Sequence, residues 1–286
     1  MNGKLRDLDD AVGTISDGMT VGIGGWGSRR KPMSLVRALI RSGARDLRIV
    51  SFGGPDVGLL CATGQVREVT AGFVSLDSIA IDPHFARARE HGEIGFVELD
   101  EAMLVAGLRA AAHRLPFELT RSGLGSDAVR SNPQILTIVS PYPDREEFVA
   151  MPAVPLDVAL IHVDVADDRG SARILAPDGH FDDLFALAAE HVILSTERVV
   201  PTAELPAFAP GGSLDRTMVH AVVEAPAGAH FTDAPAVAAR DEAMQRAYVA
   251  AAADPEAWER FRDAFLLVDE SGYHRAVSAF HAGGAA

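Results

Sequence analysis

Gly22-Ile-Gly-Gly-Trp-Gly-Ser-Arg-Arg-Lys-Pro32 joins a short apolar strand to a helix through a glycine-rich turn, and it sets Arg29, Arg30 and Lys31 at the helix entrance. Glycine lets a backbone approach a ligand closely and take positive φ, while a helix start offers unpaired N–H groups at the positive end of its dipole. The turn is therefore expected to hold an anion, with Pro32 at the first helical position. A solvated helix start is the plainer reading of the same cations.

Outward from this turn, apolar segments alternate with helical ones. Residues 19–24 read as a strand and 32–43 as a helix, in which Leu35, Val36, Leu39 and Ile40 recur at helical spacing. A strand at 47–52, the turn Gly53-Gly-Pro-Asp56, a short helix at 56–62 and a strand at 66–75 follow. Asp100 is placed to cap a helix over 101–115 that buries Met103, Leu104, Leu108 and Ala111. Residues 116–155 are rich in Pro, Gly and Ser and weakly periodic, which predicts surface loops with short strands. Asp157-Val-Ala-Leu-Ile-His-Val-Asp-Val165 is a near-continuous apolar strand of the kind covered on both faces, and a helix over 182–191 and a strand over 192–196 complete another crossover. Such alternation predicts an α/β fold, an open, largely parallel sheet with helices on both faces. After Pro226-Ala-Gly-Ala-His230 the composition turns Ala- and charge-rich, with helices expected over 243–252 and 255–267. Residues 1–235 are read as the α/β domain and 236–286 as a helical C-terminal extension packed on it.

With 286 residues, 48% of them hydrophobic, the chain is large enough to bury a substantial core. Its formal net charge of −14 argues against nucleic acid and anionic membranes as partners, because phosphate polymers call for an extended basic face. The first ten residues have no apolar signal region and no run reaches the length of a membrane span, so a cytoplasmic protein is expected. The single Cys61 excludes an internal disulfide and reads as a packed structural residue.

Gly22, Gly24 and Gly27 satisfy G-x-G-x-x-G, but the strand at 47–52 ends in Ser51, Phe52 and glycines instead of the acidic residue that holds a ribose, so the match is read as accidental. No histidine spacing suggests a metal; Asp178-Gly-His-Phe-Asp-Asp183 could attract a cation, although Asp182 or Asp183 as a helix cap is simpler, and His162 reads as a satisfied residue of its strand. Glu98-Leu-Asp-Glu101 places carboxylates where a strand ends and a helix begins, the end of a parallel sheet at which ligands bind. An ionised Glu101 there suits a general base or a nucleophile, and a purely structural helix-start acid is the alternative.

The glycine turn, Leu99 to Gly125, Asp157 to His162 with Ala166-Asp-Asp-Arg-Gly170, Glu197 with Val199 and Val200, and Val222 to His230 together resemble the α subunit of class I coenzyme A transferases over about residues 8–232. The Trp-Gly-Ser-Arg-Arg-Lys-Pro turn, Gly53-Gly-Pro-Asp56, Phe73-Val-Ser-Leu-Asp77, Ser140-Pro-Tyr-Pro143 and Phe181-Asp-Asp-Leu-Phe185 are similar to one branch, the steroid ring-cleaving CoA hydrolases. In ordinary family members a glutamate of the β subunit is the nucleophile. The branch lacks it, and the resemblance implies addition of water to a cyclic enone carrying a CoA thioester, followed by retro-Claisen C–C cleavage. Where ordinary α subunits have Pro-Gln-Gly, this chain has Asp100-Glu101-Ala102. The resemblance thus implies Glu101 as general base, backbone N–H groups of Gly24 and Gly25 as oxyanion donors, and Arg29, Arg30 and Lys31 as ligands of the substrate's propionate or a CoA phosphate. It implies no metal and no cofactor beyond the CoA of the substrate, and a β subunit in an α2β2 heterotetramer. Two alternatives stay open: an ordinary CoA-transferase α subunit whose nucleophile lies on the partner, and a binding or structural subunit without chemistry.

Overall fold

The computed structural model describes residues 3–283. Along the chain, α1 (Leu8–Val12), β1 (Thr20–Trp26), α2 (Met33–Ser42), β2 (Leu47–Phe52), α3 (Pro55–Ala62), β3 (Val66–Ala71), α4 (Pro83–Glu90), β4 (Gly95–Glu98) and α5 (Glu101–Ala112) form the first half. Next come β5 (Phe117–Thr120), α6 (Asp127–Ser131), β6 (Leu136–Val139), β7 (Glu147–Pro152), β8 (Leu156–Val163), β9 (Val165–Ala166) and β10 (Ala172–Ile174). Then α7 (Asp182–Ala188), β11 (Ala189–Thr196), β12 (Gly212–Leu214) and β13 (Ala221–Glu224) lead to three final helices, α8 (Glu242–Ala251), α9 (Pro255–Phe265) and α10 (Glu270–His281).

Seven strands form one sheet in the order β13-β11-β8-β1-β2-β3-β4, and every pairing in it is parallel. The open parallel sheet read from the sequence is therefore present. From β1 the order runs outward through β2, β3 and β4, and from β8 it runs the other way, so the topological switch point lies between β1 and β8. Alternating residues of these strands feed two cores. Val21, Ile23, Leu47, Ile49, Val158 and Leu160 pack with α2, α3 and the C-terminal helices. Val50, Phe52, Ala159, Ile161 and Leu194 pack with Met103, Leu104 and Leu108 of α5 and Phe185 of α7.

Local chemistry sets most boundaries. Gly43 stops α2 at φ +73°, and Asp82, with Pro83 behind it, starts α4 by accepting the N–H groups of His84 and Phe85. Asp100 starts α5 by accepting the N–H of Met103. Two sequence expectations change and a third is extended. The helix expected over 182–191 stops at Ala188, because Ala189 pairs with Leu156 and opens β11. The strand expected over 66–75 ends at Ala71, where Gly72 turns the chain against the start of α5. In residues 116–155 the expected short strands join into the antiparallel sheet β5-β7-β6. Its inner face rests Val149 and Met151 on the α5 core, whereas Phe117, Leu119, Leu136 and Ile138, which the pairing puts on the opposite face, are exposed.

Candidate functional site

The glycine turn does hold an anion, and that anion is internal. The N–H of Gly25 donates to Oδ1 of Asp182 at 2.8 Å, and a Cβ at Gly24 would lie 2.6 Å from the same oxygen. Gly25 has φ +75°, and a Cβ there would meet the carbonyl oxygen of Arg29 at 2.5 Å, so only glycine fits. Arg30 completes the arrangement. Its guanidinium donates to Oδ2 of Asp182 at 2.6 Å, to the carbonyl of His162 at 2.7 Å and to that of Gly179 at 2.9 Å. Both side chains of the ion pair are fully buried. Arg30 therefore ties the ends of β1 and β8 to the loop before α7 and fills the crevice at the switch point.

These contacts correct three expectations. The Gly25 N–H is already used and Gly24 is pressed against a carboxylate, so neither is open to a substrate oxyanion. Arg30 has no exposed surface and meets Asp182 in place of a ligand. Lys31 is likewise fully buried, 3.2 Å from Asp56, and donates to the Ser51 hydroxyl at 2.8 Å and the Phe52 carbonyl at 2.7 Å. Burial holds its pKa below the ordinary lysine range, against the opposing pull of Asp56. The entrance of α2 is closed as well, since the N–H groups of Lys31 and Ser34 donate to Thr232 Oγ1 and the Gly228 carbonyl. Asp182 is no helix cap, because Phe181 occupies the N-cap position of α7 without a side-chain cap bond. The cation that Asp178 to Asp183 attracts is Arg30.

Arg29 differs from its neighbours. Its side chain is 48% exposed and, among the described residues, only its Nε is engaged, with Asp77 Oδ2 at 2.9 Å. Arg240 reaches the same Asp77 oxygen at 2.7 Å. Arg240 also pairs with Glu242 at 2.8 Å, so Asp77 is shared and the Arg29 guanidinium keeps free N–H groups toward solvent.

Glu101 opens α5 on the same edge of the sheet, beside the turn after β3: a Cβ at Gly72 would lie 3.0 Å from the Glu101 nitrogen. The structural duties of a helix-start acid fall to its neighbour. Asp100 accepts the Met103 N–H at 2.8 Å and the Ser122 hydroxyl at 2.7 Å. Glu101 is exposed, and desolvation, helped by the Asp100 charge, raises its pKa above the ordinary glutamate range. A carboxylate relieved of capping and made more basic is suited to take a proton.

Aromatic side chains that the sequence reading did not connect gather between these points. Trp26 at the end of β1 stacks on Phe52 at the end of β2 with centroids 4.6 Å apart. Phe73 lies 5.3 Å and Phe181 6.0 Å from Trp26. The only advance signal was a Trp inside a glycine turn and a Phe among acidic residues. Among the other motifs, His162 is satisfied on both nitrogens, by Ser195 Oγ and Glu197 Oε1 at 2.9 Å each. Cys61 is buried and its thiol pKa is pushed up by desolvation, as befits a structural residue. His230, Asp241 and His281 bring three metal-ligating atoms together, and hydrogen bonds from Tyr273, His230 and His281 already satisfy them.

The coenzyme A transferase family matches residues 5–225. A cholesterol ring-cleaving hydrolase IpdA subunit of Rhodococcus jostii (strain RHA1) is 52% identical over 285 residues, covering 97% of this chain and 96% of that one. The acetate CoA-transferase subunit alpha of Escherichia coli (strain K12) is 30% identical over 226 residues, which is 77% of this chain and 98% of its own. Among solved structures, glutaconate coenzyme A-transferase of Acidaminococcus fermentans superposes with a TM-score of 0.88 at 24% identity, covering 97% of this chain and 93% of that one, a likeness of fold.

Proposed function

We propose, from the premise that this chain belongs to the coenzyme A transferase family, that it is the α subunit of a heteromeric hydrolase that opens a carbocyclic ring of a steroid-derived CoA thioester. The reading follows the near full-length likeness to the ring-cleaving subunit. One local observation carries its chemistry: Asp100 caps α5, which leaves the Glu101 carboxylate exposed and basic at the sheet edge.

In this mechanism Glu101 first takes a proton from water as the water oxygen adds to the enone C=C, and returns that proton to the carbon α to the thioester, which gives a saturated β-keto thioester. Glu101 then accepts a proton from a second water as its oxygen bonds to the ring carbonyl carbon. The resulting tetrahedral adduct expels the bond between that carbon and the carbon α to the thioester. The electron pair moves onto the thioester as an enolate, the proton held by Glu101 passes to the α carbon, and the new carboxylic acid gives its proton to solvent, leaving a carboxylate and an open-chain CoA ester. The oxyanion donors are assigned to first-turn N–H groups of α5 and to the partner, since Gly24 and Gly25 are committed to Asp182. Arg29 receives the carboxylate or phosphate that the three cations were expected to share. No metal or redox cofactor is part of this reading, and CoA enters only with the substrate. A β subunit completes the pocket in an α2β2 assembly in the cytoplasm; the exposed apolar face of the β5-β7-β6 sheet supports a partner, being the kind of surface that subunits bury.

The reading is tested by incubating the co-expressed complex with a cyclohexenone carboxyl-CoA bearing a propionate in ¹⁸O-labelled water. The expected product is a ring-opened CoA ester with label in its new carboxylate. CoA transfer to an added carboxylic acid, with a glutamyl thioester trapped by hydroxylamine or borohydride, would replace hydrolysis with the transferase alternative.

A further inference from the structure

We propose that Trp26, Phe73 and Phe181 form an aromatic shelf that binds the apolar ring of the substrate's acyl group, between Glu101 at one margin and Arg29 at the other. This inference rests on the reading above and names the part of the site that recognises the ring.

The rings converge from separate parts of the chain. Trp26 ends β1, Phe73 follows β3, and Phe181 precedes α7, all on the edge of the sheet where parallel strands end. Phe52 lies beneath them, fully buried, 4.6 Å from Trp26, 6.4 Å from Phe73 and 5.6 Å from Phe181. Phe52 thus serves as the floor, whereas Trp26 and Phe73 are half-buried and Phe181 is 40% exposed. Leaving the Phe181 ring exposed forgoes part of the about 1.5–3 kcal/mol that burying a phenyl ring contributes.

The exposed ring is held there at a cost. His180 and Phe181 both adopt left-handed backbone conformations, with φ of +52° and +62°, which favour glycine over bulky residues. The restraint is Arg30, which binds the Gly179 carbonyl on one side of the pair and the Asp182 carboxylate on the other. The buried cation is a positioning residue for Phe181, and a loop strained to expose a phenyl ring points to a ligand for that ring.

The ends of the shelf match the two polar parts of such a substrate. At one end Phe73 follows Gly72, which touches the backbone of Glu101, so a ring lying on Phe73 brings its carbonyl carbon toward the general base. At the other end the backbones of Trp26 and Arg29 pair, each N–H donating to the other's carbonyl at 3.0 and 2.9 Å, which sets Arg29 beside the Trp26 end of the shelf. An apolar ring flanked by a carbonyl and a carboxylate fits between them.

The test uses the complex with its partner subunit and two readouts. Phe181→Ala should lower kcat/KM for the cyclic CoA thioester by about 10- to 100-fold, the equivalent of losing one buried phenyl contact, while the inhibition constant of free CoA stays within twofold. Phe181→Leu, which keeps apolar area, should recover most of the loss. Independently of turnover, the cyclic thioester should quench fluorescence that disappears in Trp26→Phe. Equal kinetics for wild type and Phe181→Ala, or loss of the partner subunit on gel filtration of that variant, would overturn the shelf, the latter by assigning the face to the partner. If the wild-type complex turns over no cyclic thioester but the Trp26 signal titrates, the hydrolase reading fails and the shelf stands. If neither occurs, both fail.

Discussion

Replacing Arg30 with methionine separates a structural cation from a ligand-binding one. In the fold its guanidinium satisfies the Asp182 carboxylate and two backbone carbonyls at distances from 2.6 to 2.9 Å, with both charged side chains fully buried. Methionine fills much of the space but leaves Asp182 charged and held only by the Gly25 N–H. Breaking a buried pair by removing one partner costs about 3–5 kcal/mol, a large share of the roughly 5–15 kcal/mol that holds a domain together. At about 2–4 °C per kcal/mol for a chain of this size, the melting temperature should fall by roughly 6–20 °C. Adding Asp182→Leu removes the orphaned charge and should restore most of the loss, short of the roughly 1–3 kcal/mol for leaving the Gly25 N–H without an acceptor. Circular dichroism melts of wild type, both single variants and the double variant, each with the partner subunit, measure the coupling. A melt of Arg30→Met within 2 °C of wild type, with a raised KM, would refute the reasoning and return Arg30 to the substrate.

Arg29→Ala should raise KM several-fold with little change in kcat or melting temperature, since Arg29 is half exposed and its proposed role is to hold substrate and transition state alike; an unchanged KM would make it a solvated surface residue. A second prediction concerns pH and stability. Burial raises the Asp82 pKa to about 7, against the hydrogen bonds it accepts from Tyr248 and the α4 start, and burial, then the Arg87 charge, lowers that of His84 to about 4. Between pH 4 and 6.5 the native state therefore holds one extra proton on Asp82 and lacks one on His84, so their effects on stability oppose each other. His84→Gln should unmask a stability that falls by about 4 kcal/mol as pH rises from 4 to 7, and Asp82→Asn one that rises by about 3 kcal/mol from pH 4 to 6.5. Urea titrations across that range check both signs, and parallel pH profiles for wild type and the two variants would contradict the pairing.

What was legible beforehand followed from local chemistry. The glycine turn, the apolar periodicity of α2 and the near-continuous apolar run of β8 were enough to expect an open parallel sheet, and Asp100 with Glu101 marked the start of α5. The partners of the cations were not legible. Arg30 and Lys31 look like surface charges until the chain folds Asp182 and Asp56 onto them from 152 and 25 positions away. The same long-range closure hid the aromatic cluster, whose members come from four separate segments. The short strands expected within residues 116–155 are present, but their pairing into a sheet was not legible, because Pro, Gly and Ser mark turns more strongly than four-residue strands mark their partners.

The claim that Glu101 takes a proton from water is met most directly by single-turnover kinetics of Glu101→Gln in the complex with its partner, using the cyclic CoA thioester across pH. Ring opening should slow by about 10²- to 10⁴-fold with binding of free CoA preserved. The wild type should lose rate on acidification along a limb above the ordinary glutamate value, because the base must be ionised and its pKa is raised. Ring opening by Glu101→Gln within a few-fold of wild type, with the same acid limb, would contradict the account.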